Sequence, residues 1–347
     1  MRNIIVNATV AVCLAAPAHA QLPARGYSVT DLGSLGGSFV SAFALNERGE
    51  AAGRASTPSS PSHAFGFVRG AITDLGTLPG KAQSRAQGIN DRTQIVGFSF
   101  SARFASDAHA FLWSNGTMAD LHPVISLGGS ASFASAINEA GHIAGDATTI
   151  GDAEDHALLL RGGPVVDLGA LGGTFSFADA LNASDAVVGA ATLPGDAIAH
   201  AFVWNGSMID LGTLGGSYSE AVAINNAGTV VGFSLVAGDQ SQHAFLWRNG
   251  QLVDLHSPSL PASSAALGIN NFGQIVGVAS PSIADVFDGN FAVLWGGDRV
   301  VDLNSLIPAG SGWQLYRAAA INDRGEIVGV GNHNGQTRAF LLMPIRE

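Results

Sequence analysis

The stretch AINNAGTVVG, Ala223 to Gly232, decides the fold, because the chain writes it seven times. The other copies are ALNERGEAAG from Ala44, GINDRTQIVG from Gly88, AINEAGHIAG from Ala136, ALNASDAVVG from Ala180, GINNFGQIVG from Gly268 and AINDRGEIVG from Ala320. In each copy a short apolar run reaches an Asn, passes a polar turn and resumes in a second apolar run that ends on Gly. Asn folds its side chain back on the backbone at turns. Three residues on, five of the seven copies place Gly, as a left-handed turn position requires. Thr93 and Asp185 are the exceptions. The ten residues read as a hairpin, strand A into strand B.

Outward from the hairpin, Asp31, Asp74, Asp120, Asp167, Asp210, Asp254 and Asp302 are each followed by Leu, at a period of about 45 residues, the range of propeller blades and helical arrays. Segments such as AFLWSNGTMADL and AFLWRNGQLVDL are short β-forming runs broken by Asn-Gly, a hairpin signal, and nothing shows a sustained helical period. A third strand (C, HAFLW-like) and a fourth (D, ending in VDL) complete each unit. The seventh unit lacks its own D strand, while an orphan D-type strand, Gly26 to Leu32, precedes the first A strand. The expected fold is all-β: a single seven-bladed β-propeller over residues 21–347, with four antiparallel strands per blade. Residues 26–32 pair with the last blade, so that closure removes exposed sheet edges. Counting back from the recurrent Asn, the fourth residue is always Ala and the second always Ala or Gly, so the innermost strands are expected to converge there.

The first 20 residues carry Arg2, an apolar run and AHA ending at Ala20, the layout of a secretory signal peptide. Export to the periplasm or the extracellular medium is therefore expected. The single cysteine, Cys13, falls inside that leader, which leaves no disulfide or thiol chemistry for the mature chain. Removing Arg2 leaves 15 Lys and Arg against 27 Asp and Glu, a formal charge of −12 that argues against nucleic acid and anionic membranes as partners. No apolar run after the leader approaches a membrane span, and the chain is read as a monomer.

The HAFLW, HAFVW and HAFLW strands at His109, His200 and His243, together with DLGTLGGSYSEAVAINNAG from Asp210, resemble the HAF-type extracellular repeat family of bacterial proteins. The resemblance covers essentially the mature chain. It implies export and repeat architecture, and it brings no reaction, ligand or catalytic residue. Phe291 and Arg338 depart from the motif His, and Leu158 from its Phe.

Function must then come from what breaks the repeat. One motif His per unit (His63, His109, His156, His200, His243) would form a ring too wide for one ion, so these are expected to bond the backbone of neighbouring loops. The seven Asp of the Asp-Leu pairs are expected to accept loop amides in Asx-type turns. No metal site is expected. The acids of the B to C loops, among them Asp107, Asp152, Glu154, Asp155, Asp196, Asp239, Asp285 and Asp288, match no calcium loop, although carboxylates sharing one rim would suit Ca²⁺. The fifth residue before the recurrent Asn varies most: Ser41, Arg85, Phe133, Phe177, Glu220, Ala265 and Arg317. The last D to A loop adds Trp313 and Tyr316 beside Arg317, an aromatic and cationic platform suited to sugar or peptide. The ligand-binding candidates are Arg85, Asp179, Glu220, Trp313, Tyr316 and Arg317, and catalytic residues are not identified.

Two functions of different class fit this set. One is a binding module for an extracellular glycan, peptide or protein. The other is an enzyme acting on an extracellular polymer through Glu220 or Asp179 with Arg85 or Arg317. A purely structural role is the third reading. A propeller fold hosts all three.

Overall fold

The computed structural model describes residues 25–101, 107–284, 291–297 and 299–346. The expected leader over residues 1–20, and Asp285 and Asp288 of the acidic loops, lie outside these. The chain is all-β. Among the described residues its helical pieces are one four-residue α-helix, His122–Ile125, and two short 3-10 turns. No helix among them is long and apolar enough to cross a membrane.

The strands pair as four-stranded antiparallel units in the order A, B, C, D. The A strands are Val40–Leu45, Gln83–Ile89, Gly128–Ile137, Ser176–Leu181, Gly215–Ile224, Ser263–Ile269 and Trp313–Ile321. The fourth and fifth units also touch through one parallel bridge, Ala199 to Tyr218. In the last unit the fourth strand is Tyr27–Asp31, paired antiparallel with Gln336–Pro344 so that Tyr27 faces Pro344 and Asp31 faces Phe340.

Each recurrent Asn makes its hairpin. Asn225 Oδ1 accepts from Ala227 N at 3.1 Å and Thr229 N at 3.0 Å, and Gly228 N donates back to the Asn225 carbonyl at 3.0 Å. Gly228 has φ 76°, and Thr93 and Asp185, which replace Gly in two turns, sit in the same left-handed region at 57° and 62°. The other end of the amide leaves the unit. The Nδ2 groups of Asn46, Asn90, Asn138, Asn182, Asn225 and Asn270 each donate to the backbone carbonyl of the next recurrent Asn, and Asn322 donates to Asn46, all at 3.0 to 3.2 Å.

The small residues two and four before the Asn also have their reason. Every A strand shifts register between them, as between Ala221 and Ala223, so the residue three before the Asn is a bulge with no partner on strand B. The bulge drives an A-strand carbonyl against the Gly that ends each repeat: a Cβ on Gly232 would stand 1.9 Å from the Glu220 carbonyl oxygen. That contact, and no turn, is why the motif ends in Gly.

The core lies between consecutive units, because each sheet has two apolar faces and covers neither alone. Ala52, Ala64 and Leu75 of the first unit pack with Ala86, Ile95 and Phe111 of the second. Val40 and Phe65 of the first pack with Val328 and Leu341 of the last. The motif Phe of strand C (Phe65, Phe111, Phe202, Phe245, Phe340) is fully buried in these layers.

Candidate functional site

The A strands begin at the end of the units that bears the B to C and D to A loops, and their variable residues share a polar interior. Strand B contributes opposite them: Ser41 pairs with Arg54, Arg85 with Phe98, Phe133 with Asp146 and Glu220 with Phe233. Charge is sorted by unit. Arg54, Arg85 and Arg317 come from the first, second and last units, and Asp146, Asp155, Asp179 and Glu220 from the third, fourth and fifth.

On the basic side, the Arg85 guanidinium lies 4.2 Å from the centre of the Phe43 ring and Arg317 lies 5.6 Å from the same ring, a pair of cation–π contacts on one Phe. Arg85 Nε donates to Gln87 Oε1 at 2.8 Å, and Arg317 reaches Ser41 Oγ at 3.4 Å. Arg54 stands over Phe39 at 5.1 Å, with its buried Nε unpartnered. Burial, helped by Arg54 and Arg317, lowers the Arg85 pKa to about 10, so it stays charged at neutral pH.

On the acidic side, burial raises the pKa of Asp146, with Asp155 adding repulsion. Burial pushes Asp155 up to about 6. Asp179 is raised by burial and by the charges of Glu220 and Asp146. Glu220 is raised by burial and partly restored by Tyr218, whose Oη donates to Glu220 Oε2 at 2.5 Å. Asp179 and Glu220 sit deep among protein atoms yet keep an edge open to the interior, and Asp155 Oδ1 and Asp179 Oδ2 have no hydrogen-bond partner. Arg85 is perturbed only by burial and other cations, and Asp179 only by burial and other anions, so neither is neutralised by the opposite side. On the acidic side, Gln87, Phe98, Phe133, Ser135, Phe177, Asp146, Asp155 and Asp179 line a cavity of about 320 Å³, and Arg85 borders it only through its bond to Gln87.

Of the residues singled out by sequence, Asp179 lines this cavity with Glu220 close enough to raise its pKa, while Arg85 and Arg317 meet each other on Phe43. Trp313 is used differently. Its ring stacks on His333 at 4.5 Å and 4° and meets Phe340 edge-on, because Trp313 and His333 are register partners in the last unit. Tyr316 falls between Leu315 and Arg317, at a second irregularity of that A strand. Asp155 was among the loop acids named from sequence, whereas Arg54 and Asp146 were missed. Their signal was a second variable slot, the residue after the repeat-ending Gly: Arg54, Phe98, Asp146, Ala190, Phe233, Val278 and Val330.

The recurrent His and Asp bond each other, which corrects the expectation that the His would reach loop backbone. The Nδ1 atoms of His63, His109, His156, His200 and His243 lie 2.8 to 3.0 Å from Asp74, Asp120, Asp167, Asp210 and Asp254 of the same unit. The reason is that strands C and D are paired, which places the two side chains at one end of the same ladder. Asp31 takes His333 instead, since Arg338 holds the motif position. Asp302 of the sixth unit, where Phe291 replaces the His, bonds Asn304. Every one of these Asp also accepts a backbone amide two residues on, as expected. The loop acids Asp152, Asp196 and Asp239 accept from the backbone and hydroxyl of Ser130, Thr174 and Ser217. Among the described residues no three His, Cys, Asp or Glu are grouped to hold a metal ion.

No sequence-family model matches the chain, and no curated protein does. Its structure is similar to that of a puromycin-hydrolysing peptidase from Mycobacterium tuberculosis, at a TM-score of 0.57 and 9% identity, over 94% of this chain and 56% of that one. It is also similar to the β-propeller domain of the trilobed protease from Pyrococcus furiosus, at 0.50 and 10% identity, over 76% of this chain and 85% of that one. The chain thus spans little more than half the length of the first of these proteins. At such identities the likeness carries fold and not activity. Together with the four-stranded units, it makes this chain a protein of β-propeller type.

Proposed function

We propose that the chain is an exported seven-bladed propeller of the HAF-repeat type, closed by its N-terminal strand, and that its inner cavity binds a small zwitterionic ligand, an amino acid or short peptide. The pairing of Tyr27–Asp31 with the last strand and the return of the Asn amide series from Asn322 to Asn46 support the closed ring.

The observation that carries the ligand reading is an acidic cavity whose edge residue Gln87 is held by Arg85, the nearest of three arginines sorted onto the neighbouring units. Arg54, Arg85 and Arg317 suit a carboxylate. Asp146, Asp155, Asp179 and Glu220 suit an ammonium group, which would restore the ionised state that burial disfavours. Phe98, Phe133 and Phe177 offer an apolar wall, and about 320 Å³ is the small end of ligand pockets. Titration calorimetry with leucine, alanyl-leucine, N-acetyl-leucine, leucinamide and glucuronate tests this. The two zwitterions should bind, and each single-charge analogue should lose at least tenfold. Glucuronate binding in preference to the zwitterions would refute it.

The short Tyr218–Glu220 hydrogen bond favours a second reading, hydrolysis of an extracellular polymer. Glu220 would take the Tyr218 proton as the phenol oxygen bonds the anomeric carbon and the glycosidic C–O bond breaks, and protonated Asp179 would give its proton to the leaving oxygen. A water deprotonated by Asp179 would then displace Tyr218, which regains its proton from Glu220. Turnover of nitrophenyl glycosides that is lost in Glu220→Gln would establish it, and no turnover across a broad panel would leave the binding reading alone.

A further inference from the structure

At the end of the units bearing the A to B and C to D turns, the first and second units leave a cavity of about 460 Å³. Arg48, Arg69, Arg92, Thr73, Thr93, Asn115 and Trp113 supply most of its polar and aromatic lining. It lies beside a departure from the repeat, where the Ile95 side chain comes within 3.0 Å of the position a Gly66 Cβ would take. Strand C carries Leu112, Leu159, Val203, Leu246, Leu294 and Leu341 at a slot where the first unit has Gly66. The strand B residue facing Gly66 is Ala52, where five of the other units place Val. Neither is a turn position, so these losses of apolar volume have no backbone reason.

A second departure lies at the same place. The C to D turns of the second, fifth and last units use Asn at a left-handed position, with φ of 52° at Asn115, 53° at Asn249 and 50° at Asn334. The first unit puts Arg69 there, at 54°. Arg tolerates that conformation less well than Asn. The first unit therefore lacks both the core Leu and the turn Asn of the second, fifth and last units, and places a cation in the lining of the groove.

One charge there is available. Arg48 is engaged by Glu50 at 2.9 Å and by the Asp91 carbonyl at 2.7 Å, and Thr93 Oγ1 also donates to Glu50. The Arg69 guanidinium makes no hydrogen bond among the described residues, in a chain whose formal charge is −11, whereas the Arg92 guanidinium turns to Gly141 of the third unit. Arginine forks match tetrahedral oxyanions, and Trp113 with Val68 and Leu75 gives the pocket an apolar floor.

We propose that this groove is a second binding site, for a small molecule bearing a phosphate or sulfate ester, with the oxyanion on Arg69 and the body in the space beside Gly66 and Trp113. It is separate from the inner cavity and does not depend on what that cavity holds.

Calorimetry of the mature protein with glucose 6-phosphate, glucose 6-sulfate and glucose tests it, and the two esters distinguish the phosphate from the sulfate source. One ester should bind and glucose should not. Arg69→Asn, which restores the residue used by other turns, should cut that affinity at least tenfold while the melting temperature holds or rises. Gly66→Leu, the side chain of other units, should fill the pocket and remove binding. Unchanged affinity in both variants overturns the proposal, as does no binding of either ester at millimolar concentration, or a crystal soak that places the ester in the inner cavity.

Discussion

The side-chain amide of Asn322 donates to the backbone carbonyl of Asn46 at 3.0 Å, across 276 positions of sequence. The same Asn holds its own turn, its Oδ1 accepting from Arg324 N at 3.1 Å and Glu326 N at 3.0 Å. One buried side chain therefore satisfies groups in the last and first units together. Asn322→Ala should cost roughly 3 kcal/mol, since several buried groups are orphaned at once. Asn322→Asp keeps the turn acceptor but sets a buried carboxylate oxygen against Glu326 Oε2 and the Asn46 carbonyl, so it should cost at least as much. Urea unfolding reads both, and an Ala variant within 0.5 kcal/mol of the parent would show that the link holds nothing.

Tyr27 is fully buried against Leu315, Phe340 and Leu342 of the last unit, although it lies at the start of the described chain. Tyr27→Ala should cost about 3 to 5 kcal/mol, as for other large core truncations. Deleting residues 21–32 should lower the melting of the whole chain in one transition. If that deletion melts like the full chain, the N-terminal strand does not close the fold.

The raised carboxyls make stability fall towards neutral pH. An Asp whose folded pKa exceeds its unfolded value of about 3.9 holds its proton more tightly when folded. For Asp155, pushed up to about 6 by burial, the loss runs from about pH 4 to pH 6 and is complete above that. Asp155→Asn should therefore stabilise the ligand-free protein by about 1 kcal/mol at pH 7, after discounting for its partial exposure, and by nothing at pH 4. A gain that is equal at the two pH values would refute the assignment.

His200 bonds Asp210 at 2.8 Å on a partly exposed edge, while Asp210 keeps a second bond from Gly212 N at 2.7 Å. His200→Ala should cost about 1 kcal/mol. EDTA should leave the melting temperature unchanged. A metal at one equivalent by elemental analysis, with destabilisation by EDTA, would contradict a purely structural pair.

The hairpin and the unit were legible because they repeat. An Asn, a left-handed residue three places on and small residues before them recur wherever the backbone demands them. The His–Asp pairing was legible in principle, since the two stand 10 or 11 positions apart in five units. It was misread because an Asp that visibly serves a turn leaves no hint of a second bond. Half of the inner cavity was found from the A strands, where Arg85, Glu220 and Arg317 break a pattern. Arg54 and Asp146 escaped because the pairing that aligns them with strand A is offset by a bulge that sequence does not mark. Trp313 was misplaced for the opposite reason: its neighbour in sequence is Arg317, but its neighbour in the sheet is His333.

The bulge residues Phe43, Gln87, Ser135, Asp179, Val222, Leu267 and Ala319 answer to no strand B partner. Residues on either side of each are fixed by the ladder, by Ala packing or by the contact with Gly, whereas this one is left out of all three. The strand ladder thus leaves seven letters unread, which only neighbouring interior side chains read: Phe43 and Gln87 hold Arg85, and Val222 and Leu267 pack on one cluster. Rewriting them would give a library of interiors on one frame, with adjacent letters chosen together because they touch.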